Sequence, residues 1–169
     1  AEEIMELDRY CRARHIELIP SLSSFGHMYR ILSTKTCCDL CELPDSEKIP
    51  FSYTYAGDHH TLNVSNPNAV DFIKGLITEY RALFTSKKFN ICCDETFDLG
   101  KGRSKALADE KGEHSLYMAH VVKLCRWLLA QDVTPMFWGD IMWRHPEAYA
   151  EIPEGVICLN WGYLPEQRE

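Results

Sequence analysis

The sequence has no Lys/Arg-rich run, and its formal net charge is −7. Nucleic acid and anionic membrane surfaces both demand concentrated positive charge, so neither is an expected partner. No apolar stretch approaches the length that spans a bilayer. There is no internal repeat, no low-complexity segment, no initiating Met and no signal peptide. The start, Ala1-Glu2-Glu3-Ile4, reads as a chain entered partway through a helix, so the missing targeting segment says nothing about the intact protein. What is present suits a folded domain with a real core: 169 residues, 46% hydrophobic and 25% charged.

Cysteine, by contrast, is abundant, with eight residues. Cys37-Cys38 and Cys92-Cys93 are adjacent pairs, which do not bridge to themselves comfortably. Cys92, Cys93 and Cys158 lie in apolar runs, where Cys behaves as a small hydrophobe. The expectation is a reduced, cytoplasmic protein rather than a disulfide scaffold.

Ile4, Leu7 and Cys11 follow helical spacing and lead into a short strand, Ile16-Glu17-Leu18-Ile19-Pro20. A long polar and aromatic stretch, about 25–65, reads as a loop insertion. Asn66-Pro67 has the pattern of an N-cap with Pro at the first helical position. Ile73, Leu76, Ile77, Tyr80 and Phe84 then form one apolar stripe, which predicts an amphipathic helix. Phe89-Asn90-Ile91-Cys92-Cys93 reads as the next strand, followed by a Gly- and charge-rich loop. Tyr117, Val121, Leu124, Cys125 and Leu128 mark another helix. Val133 to Trp138 and Val156 to Trp161 read as two further strands, separated by a short helix around Pro146 to Ala150. Helices alternating with nearly unbroken apolar strands indicate a parallel sheet covered by helices.

The residues that carry chemistry follow those strands: Ser23 to His27, Asp94-Glu95, Trp138 to Asp140, and Trp161 to Tyr163. Sites in α/β barrels and open α/β sheets form at the C-terminal ends of strands. Adjacent strand residues face opposite sides, so Asp94 and Glu95 share a site only if the strand ends and the backbone turns there. Two close carboxylates repel, which favours a proton on one of them and suits a general acid. An acidic strand end is commonly only solvated, but this pair follows directly from Ile91-Cys92-Cys93. Trp138 and Trp161 end successive strands, each followed by Gly (Gly139, Gly162). A lone Trp is usually a core residue; two at strand ends before glycines point to walls of a small pocket. Tyr163 would add a hydroxyl.

The order of these segments resembles glycoside hydrolase family 20, the β-N-acetylhexosaminidases. The likeness runs through His15-Ile16-Glu17-Leu18-Ile19-Pro20-Ser21-Leu22, Phe25-Gly26-His27-Met28 and Leu62-Asn63-Val64-Ser65-Asn66-Pro67. It continues in Asn90-Ile91-Cys92-Cys93-Asp94-Glu95, Phe137-Trp138-Gly139-Asp140 and Asn160-Trp161. Cys92-Cys93 stand where the family more often has a small residue, and Phe25 where it has Pro. The resemblance implies a (β/α)₈ TIM barrel. At about 250 residues for a whole barrel, the chain would hold about four strand–helix units of one partial catalytic domain, 1–169. The family's sugar-binding Arg, acetamido-contacting Tyr and final pocket Trp have no counterpart here.

The resemblance also implies hydrolysis of terminal β-linked N-acetylhexosamine by a substrate-assisted retaining mechanism, outside the two-carboxylate scheme. Glu95 would be the acid and base, and Asp94 would orient the 2-acetamido group. Trp138 and Trp161 would wall that group, with His27 beside the acid and Asp140 on a sugar hydroxyl. A glycan substrate is the expected partner, together with the remainder of the barrel or a second copy of the fragment, and no cofactor is expected. Two other readings stay open. One is a two-carboxylate glycosidase using Glu95 and Asp140; the other is a non-catalytic, carbohydrate-binding barrel fragment.

Other signals count for less. Cys38-Asp39-Leu40-Cys41 has zinc-type spacing, and Cys37, His59 and His60 would complete a set. Without a second C-x-x-C pair, free thiols in an insertion are the reading, and no residue is assigned to a metal. Gly100-Lys101-Gly102-Arg103-Ser104 lacks P-loop spacing and reads as a mobile loop over the site, with Lys101 and Arg103 near an extended or anionic glycan. His114, His120 and His145 read as surface or helix-packing residues.

Overall fold

The apolar stripes predicted above fold as helices wherever their spacing closes one face. In the computed structural model, which describes residues 1–49 and 60–163, the helices are α1 (Glu2–Arg12), α2 (Tyr29–Leu32), α3 (Ala69–Arg81), α4 (Lys105–Lys111) and α5 (Glu113–Leu129). Ile73 and Ile77 of α3 and Val121, Leu124, Cys125 and Leu128 of α5 are fully buried at three- and four-residue spacings. The strands are β1 (Lys88–Asn90), β2 (Thr134–Trp138) and β3 (Ile157–Leu159), all parallel in the order β1-β2-β3. Phe89 lies opposite Pro135, and Trp138 opposite Leu159. Consecutive strands are thus neighbours, as in a segment of barrel wall.

The strand expected at 16–20 is reduced to a single parallel bridge, Ser21 with Asn90. Asn90 N–H donates to Pro20 O, and Asn90 O accepts from Leu22 N–H. The segment therefore flanks β1 but carries only one turn of ladder, and Ile16 stays exposed. The β1 strand also stops earlier than its apolar run, because Cys92 and Cys93 adopt φ of 60° and 67°.

Other boundaries moved for local reasons. The N-cap of α3 is Asn68 rather than Asn66; the Asn66 side chain instead accepts the Asn68 N–H at 2.9 Å, closing a turn before the helix. The Gly- and charge-rich loop contains α4, whose mostly polar sequence offered no apolar stripe. The short helix expected around Pro146 is present as a 3₁₀ helix, Pro146–Glu151. The described parts of the insertion, 25–49 and 60–65, pack around α2, with Phe25, Met28, Leu32, Cys41 and Leu62 fully buried or nearly so. Cys41 and Leu62 form an antiparallel bridge.

Strand alternation sets what faces the site. Phe137 is buried in the core while Trp138, its neighbour, points to the opposite face. All eight cysteines are free. Cys93 is wholly buried against the Ser24 hydroxyl at 3.3 Å, and burial pushes its thiol well above the ordinary value. No helix among the described residues is long and apolar enough to cross a membrane.

Candidate active site

The turn required to bring Asp94 and Glu95 together is present. Cys92, Cys93 and Glu95 all have positive φ, so the backbone coils as it leaves β1. Asp94 Oδ2 and Glu95 Oε2 each lie 3.2 Å from His27 Nε2. Their side chains are 19% and 33% exposed. Left-handed backbone at non-glycine residues is costly and clusters where surrounding structure enforces a geometry.

Gly26 allows that convergence. A Cβ at this position would stand 2.2 Å from the Asp94 carbonyl oxygen, so any side chain there would push the acidic turn away. The next residue, His27, also has positive φ, at 56°. Its N–H donates to His60 Nδ1 at 2.7 Å, and the two rings stack at 5.3 Å. His60 is held in turn by its N–H to Asp98 Oδ2. The hydrogen bond to Asp94 raises the His27 pKa, against the opposing effect of burial. Sequence reasoning had no local signal for the His60 support, since it depends on the fold of the insertion.

Asp140 follows β2 and accepts the Glu95 N–H at 3.2 Å through Oδ2. Burial, and less strongly the Asp94 charge, raise its pKa. Asp140 Oδ1 and Trp161 Nε1 are both buried and make no hydrogen bond of good geometry among the described residues, although the Trp161 indole stands close enough to the Asp140 carboxyl to pull its pKa down against that rise. Both residues line a cavity of about 430 Å³ together with Glu95, Phe97 and Trp143. Gly139 makes the end of β2 compact: a Cβ there would meet Cys158 Sγ at 2.5 Å.

The expected residues are therefore divided. Glu95, Asp140 and Trp161 share the cavity lining, and His27 and Asp94 adjoin it through Glu95. Trp138 is absent from that lining and lies beside the Cys92 thiol. Tyr163 is 89% exposed, its ring 5.5 Å from that of Trp161. Trp143, missed in the sequence, donates its indole N–H to Asn160 Oδ1 at 3.3 Å; only its place three residues past Asp140 hinted at a site role.

The Gly100–Ser104 loop is pinned rather than loose. Glu42 Oε1 accepts from the N–H groups of Gly102 and Ser104 and from the Ser104 hydroxyl. Lys101 reaches the cavity wall, whereas Arg103 pairs with Asp39 at 3.8 Å. In the cysteine-rich loop, Cys38 Sγ contacts Lys35 O and Cys41 is buried in the bridge to Leu62. His59 lies outside the described residues. His120 packs as expected: its ring lies 4.4 Å from Phe25, and Nε2 meets Ser24 O at 3.1 Å.

Comparison with known proteins settles the family. The model of the glycosyl hydrolase family 20 catalytic domain matches residues 1–168. The chain belongs to glycosyl hydrolase family 20. This family 20 chain is 24% identical to hexosaminidase D of Bos taurus over 170 residues, covering 95% of the chain and 46% of that protein. Its fold is similar to a β-N-acetylhexosaminidase from Bacteroides fragilis, with a TM-score of 0.75 and 18% identity over 95% of the chain and 31% of that protein. It is also similar to a mutant Streptomyces plicatus β-hexosaminidase in complex with product (GlcNAc), with a TM-score of 0.70 and 22% identity over 98% of the chain and 29% of that protein. The chain thus carries part of the family's (β/α)₈ barrel and spans less than half the length of each of these relatives.

Proposed function

We propose that the protein carrying this chain hydrolyses terminal β-linked N-acetylhexosamine, GlcNAc or GalNAc, from glycans by a substrate-assisted retaining mechanism. The observation that carries this reading is the convergence of Asp94 and Glu95 on His27 at 3.2 Å beside the cavity. Glu95, which reaches the cavity lining, donates a proton to the glycosidic oxygen as the bond to the anomeric carbon breaks. The substrate's acetamido carbonyl oxygen forms the new bond to that carbon, giving an oxazolinium. Asp94 orients the acetamido N–H and offsets the positive charge. Water, deprotonated by Glu95, then opens the ring with net retention.

The remaining residues take supporting parts. Asp140 Oδ1 and the Trp161 indole N–H, adjacent in the cavity wall and without a well-formed hydrogen bond among the described residues, offer an acceptor and a donor to a sugar hydroxyl. Trp161 walls the acetamido group and Tyr163 stands at the outer rim, while Trp138, outside the cavity lining, backs the turn at Cys92. His27, with its raised pKa, holds both carboxyls in place and tunes their protons. The exposed Met5, Leu7 and Tyr10 of α1 support packing against further barrel elements or a second copy. One partial catalytic domain, 1–169, and a cytoplasmic setting for its eight thiols belong to the same reading.

The test compares aryl N-acetylglucosaminides with plain aryl glucosides in the intact protein, and adds a thiazoline mimic of the oxazolinium. Turnover confined to the acetamido substrates, with the thiazoline binding far more tightly than substrate, supports the mechanism. Good turnover of glucosides and a covalent 2-fluoro sugar adduct on Asp140 would replace it with the two-carboxylate scheme. Sugar binding without turnover of either substrate would leave a binding protein.

A further inference from the structure

The wall of the cavity contains a second cluster, built from α5 and the loop after β2. His114 lies in the first turn of α5, and its ring stacks on that of His145 with centroids 4.0 Å apart. His145 Nδ1 is 3.4 Å from Glu147 Oε1. One ligand-type atom from each of the three lies within 4.8 Å of the other two. Both ring nitrogens of His114 are buried, and neither has a hydrogen-bond partner among the described residues. Buried side-chain nitrogen normally finds a partner. Ring stacking accounts for the contact of the two imidazoles but leaves both His114 nitrogens unmet, and an ion would take one of them.

We propose that His114, His145 and Glu147 form a binding site for a divalent transition ion of the zinc class. Two imidazoles and one carboxylate, with a fourth position open, form a donor set that suits zinc. Tetrahedral bonds of this kind hold donor atoms about 3.3 Å apart, so the three must draw in and the stacked rings, 27° from parallel, must turn until one nitrogen of each faces the ion. His145 and Glu147 are 40% and 72% exposed, which leaves them room to do so. Glu151 adds negative charge near His114. Arg144 in the same wall is solvent-exposed, where water and salt screen its repulsion.

The ion would tie the start of α5 to the loop that begins at Asp140. His114 and His145 line the same cavity as Glu95 and Asp140, so occupancy would set the shape of that cavity without supplying chemistry to the reaction. The site does not depend on the catalytic reading given above. It departs from the sequence expectation, which assigned no metal ligand and gave His114 and His145 only surface or packing roles. Their pairing needs the loop after β2 to fold back on α5.

Equilibrium dialysis of the intact protein against Zn²⁺, with bound metal counted by mass spectrometry, tests the site against His114→Ala and His145→Ala. The eight free thiols are competing ligands, so Co²⁺ provides a second readout. A nitrogen and oxygen site gives weak visible bands without near-ultraviolet thiolate charge transfer. The expected result is one equivalent less zinc in each histidine variant, together with loss of those visible bands. Zn²⁺ should also raise the thermal midpoint of the native protein and leave that of His114→Ala unmoved. Circular dichroism without metal checks that the variants fold. If they do not, Glu147→Gln replaces them, with zinc affinity expected to fall at least about tenfold. Unchanged zinc content in a folded histidine variant, unchanged affinity in Glu147→Gln, or Co²⁺ spectra showing only the thiolate band would overturn the site.

Discussion

Two sets of carboxyl groups lie close in this fold and behave differently. Glu42 and Asp98 are sealed, at 0% and 1% exposure. Glu42 accepts three hydrogen bonds from Gly102 and Ser104, and Asp98 accepts the N–H groups of His60 and Thr61. Their donors are mostly backbone, so they pin loops. Asp94, Glu95 and Asp140 are only partly buried. Asp94 and Glu95 meet His27, Asp140 accepts the Glu95 N–H, and Glu95 and Asp140 face the cavity. Glu42 Oε1 takes all three of its donors and Oε2 is sealed in the interior without a partner among the described residues, so neither oxygen is open to a substrate; a carboxyl at a cavity wall is. The two sets are also connected, because Asp98 holds His60, and His60 accepts the N–H of His27.

The largest expected effect on this contrast comes from Glu95→Gln. In the intact protein it should lower kcat for substrates with poor leaving groups by about 10²- to 10⁴-fold. Activated leaving groups should lose less in the first step, and unfolding should shift little. Equal loss on both substrate types would move Glu95 into the structural set. Glu42→Ala should do the reverse: stranding three buried donors costs about 3 kcal/mol of stability, read from urea unfolding. The surviving folded protein should keep its kcat, and a collapse of kcat at unchanged stability would break the division.

Gly26→Ala sharpens it from the backbone side. The added Cβ must displace the Asp94 carbonyl, and a misplacement of about 1 Å is worth about 10²-fold in rate. Rate assays and circular dichroism together should show activity falling with the helices intact. The smallest effect is on pH dependence. The His27 pKa is raised, so its contribution to stability is complete below 6.5 and is lost as pH rises through the folded value. His27→Gln should remove that slope from unfolding midpoints measured on either side of neutrality. Asp140, also raised, loses stability over a lower window that begins at 3.8, so the two slopes separate. A slope that persists above 6.5 in His27→Gln would belong to another group.

Much of this arrangement was legible in the chain. The stripe through Ile73 and Ile77 and the run Phe89 to Cys93 announced a helix and a strand, because burial of one face follows a short-range period. Asp94-Glu95 stood out because an acidic pair directly after a buried strand must lie at its end. Apolar residues at 16–20 predict a strand, but β1 reaches that segment only at Ser21. The helix α4 leaves no stripe to read, because Lys105 to Lys111 has too few apolar residues. Trp138 and Trp161 looked equivalent in sequence, yet only Trp161 lines the cavity with Glu95, since strand parity and the turn after β3 decide which way each ring points.

The sequence by itself determined most of the alternation of helices and strands and the placing of the acidic pair, Asp140 and the tryptophans at strand ends. Those features are local, set by hydrophobic period and by where an apolar run stops. Only the tertiary structure decided that Asp94 and Glu95 converge on one imidazole, that Gly26 makes room for their turn, and that His60 supports His27. It also decided that His114 meets His145. Each of these depends on positive backbone angles held by surrounding packing, or on contacts between segments distant in the chain, and neither leaves a periodic trace in the order of residues.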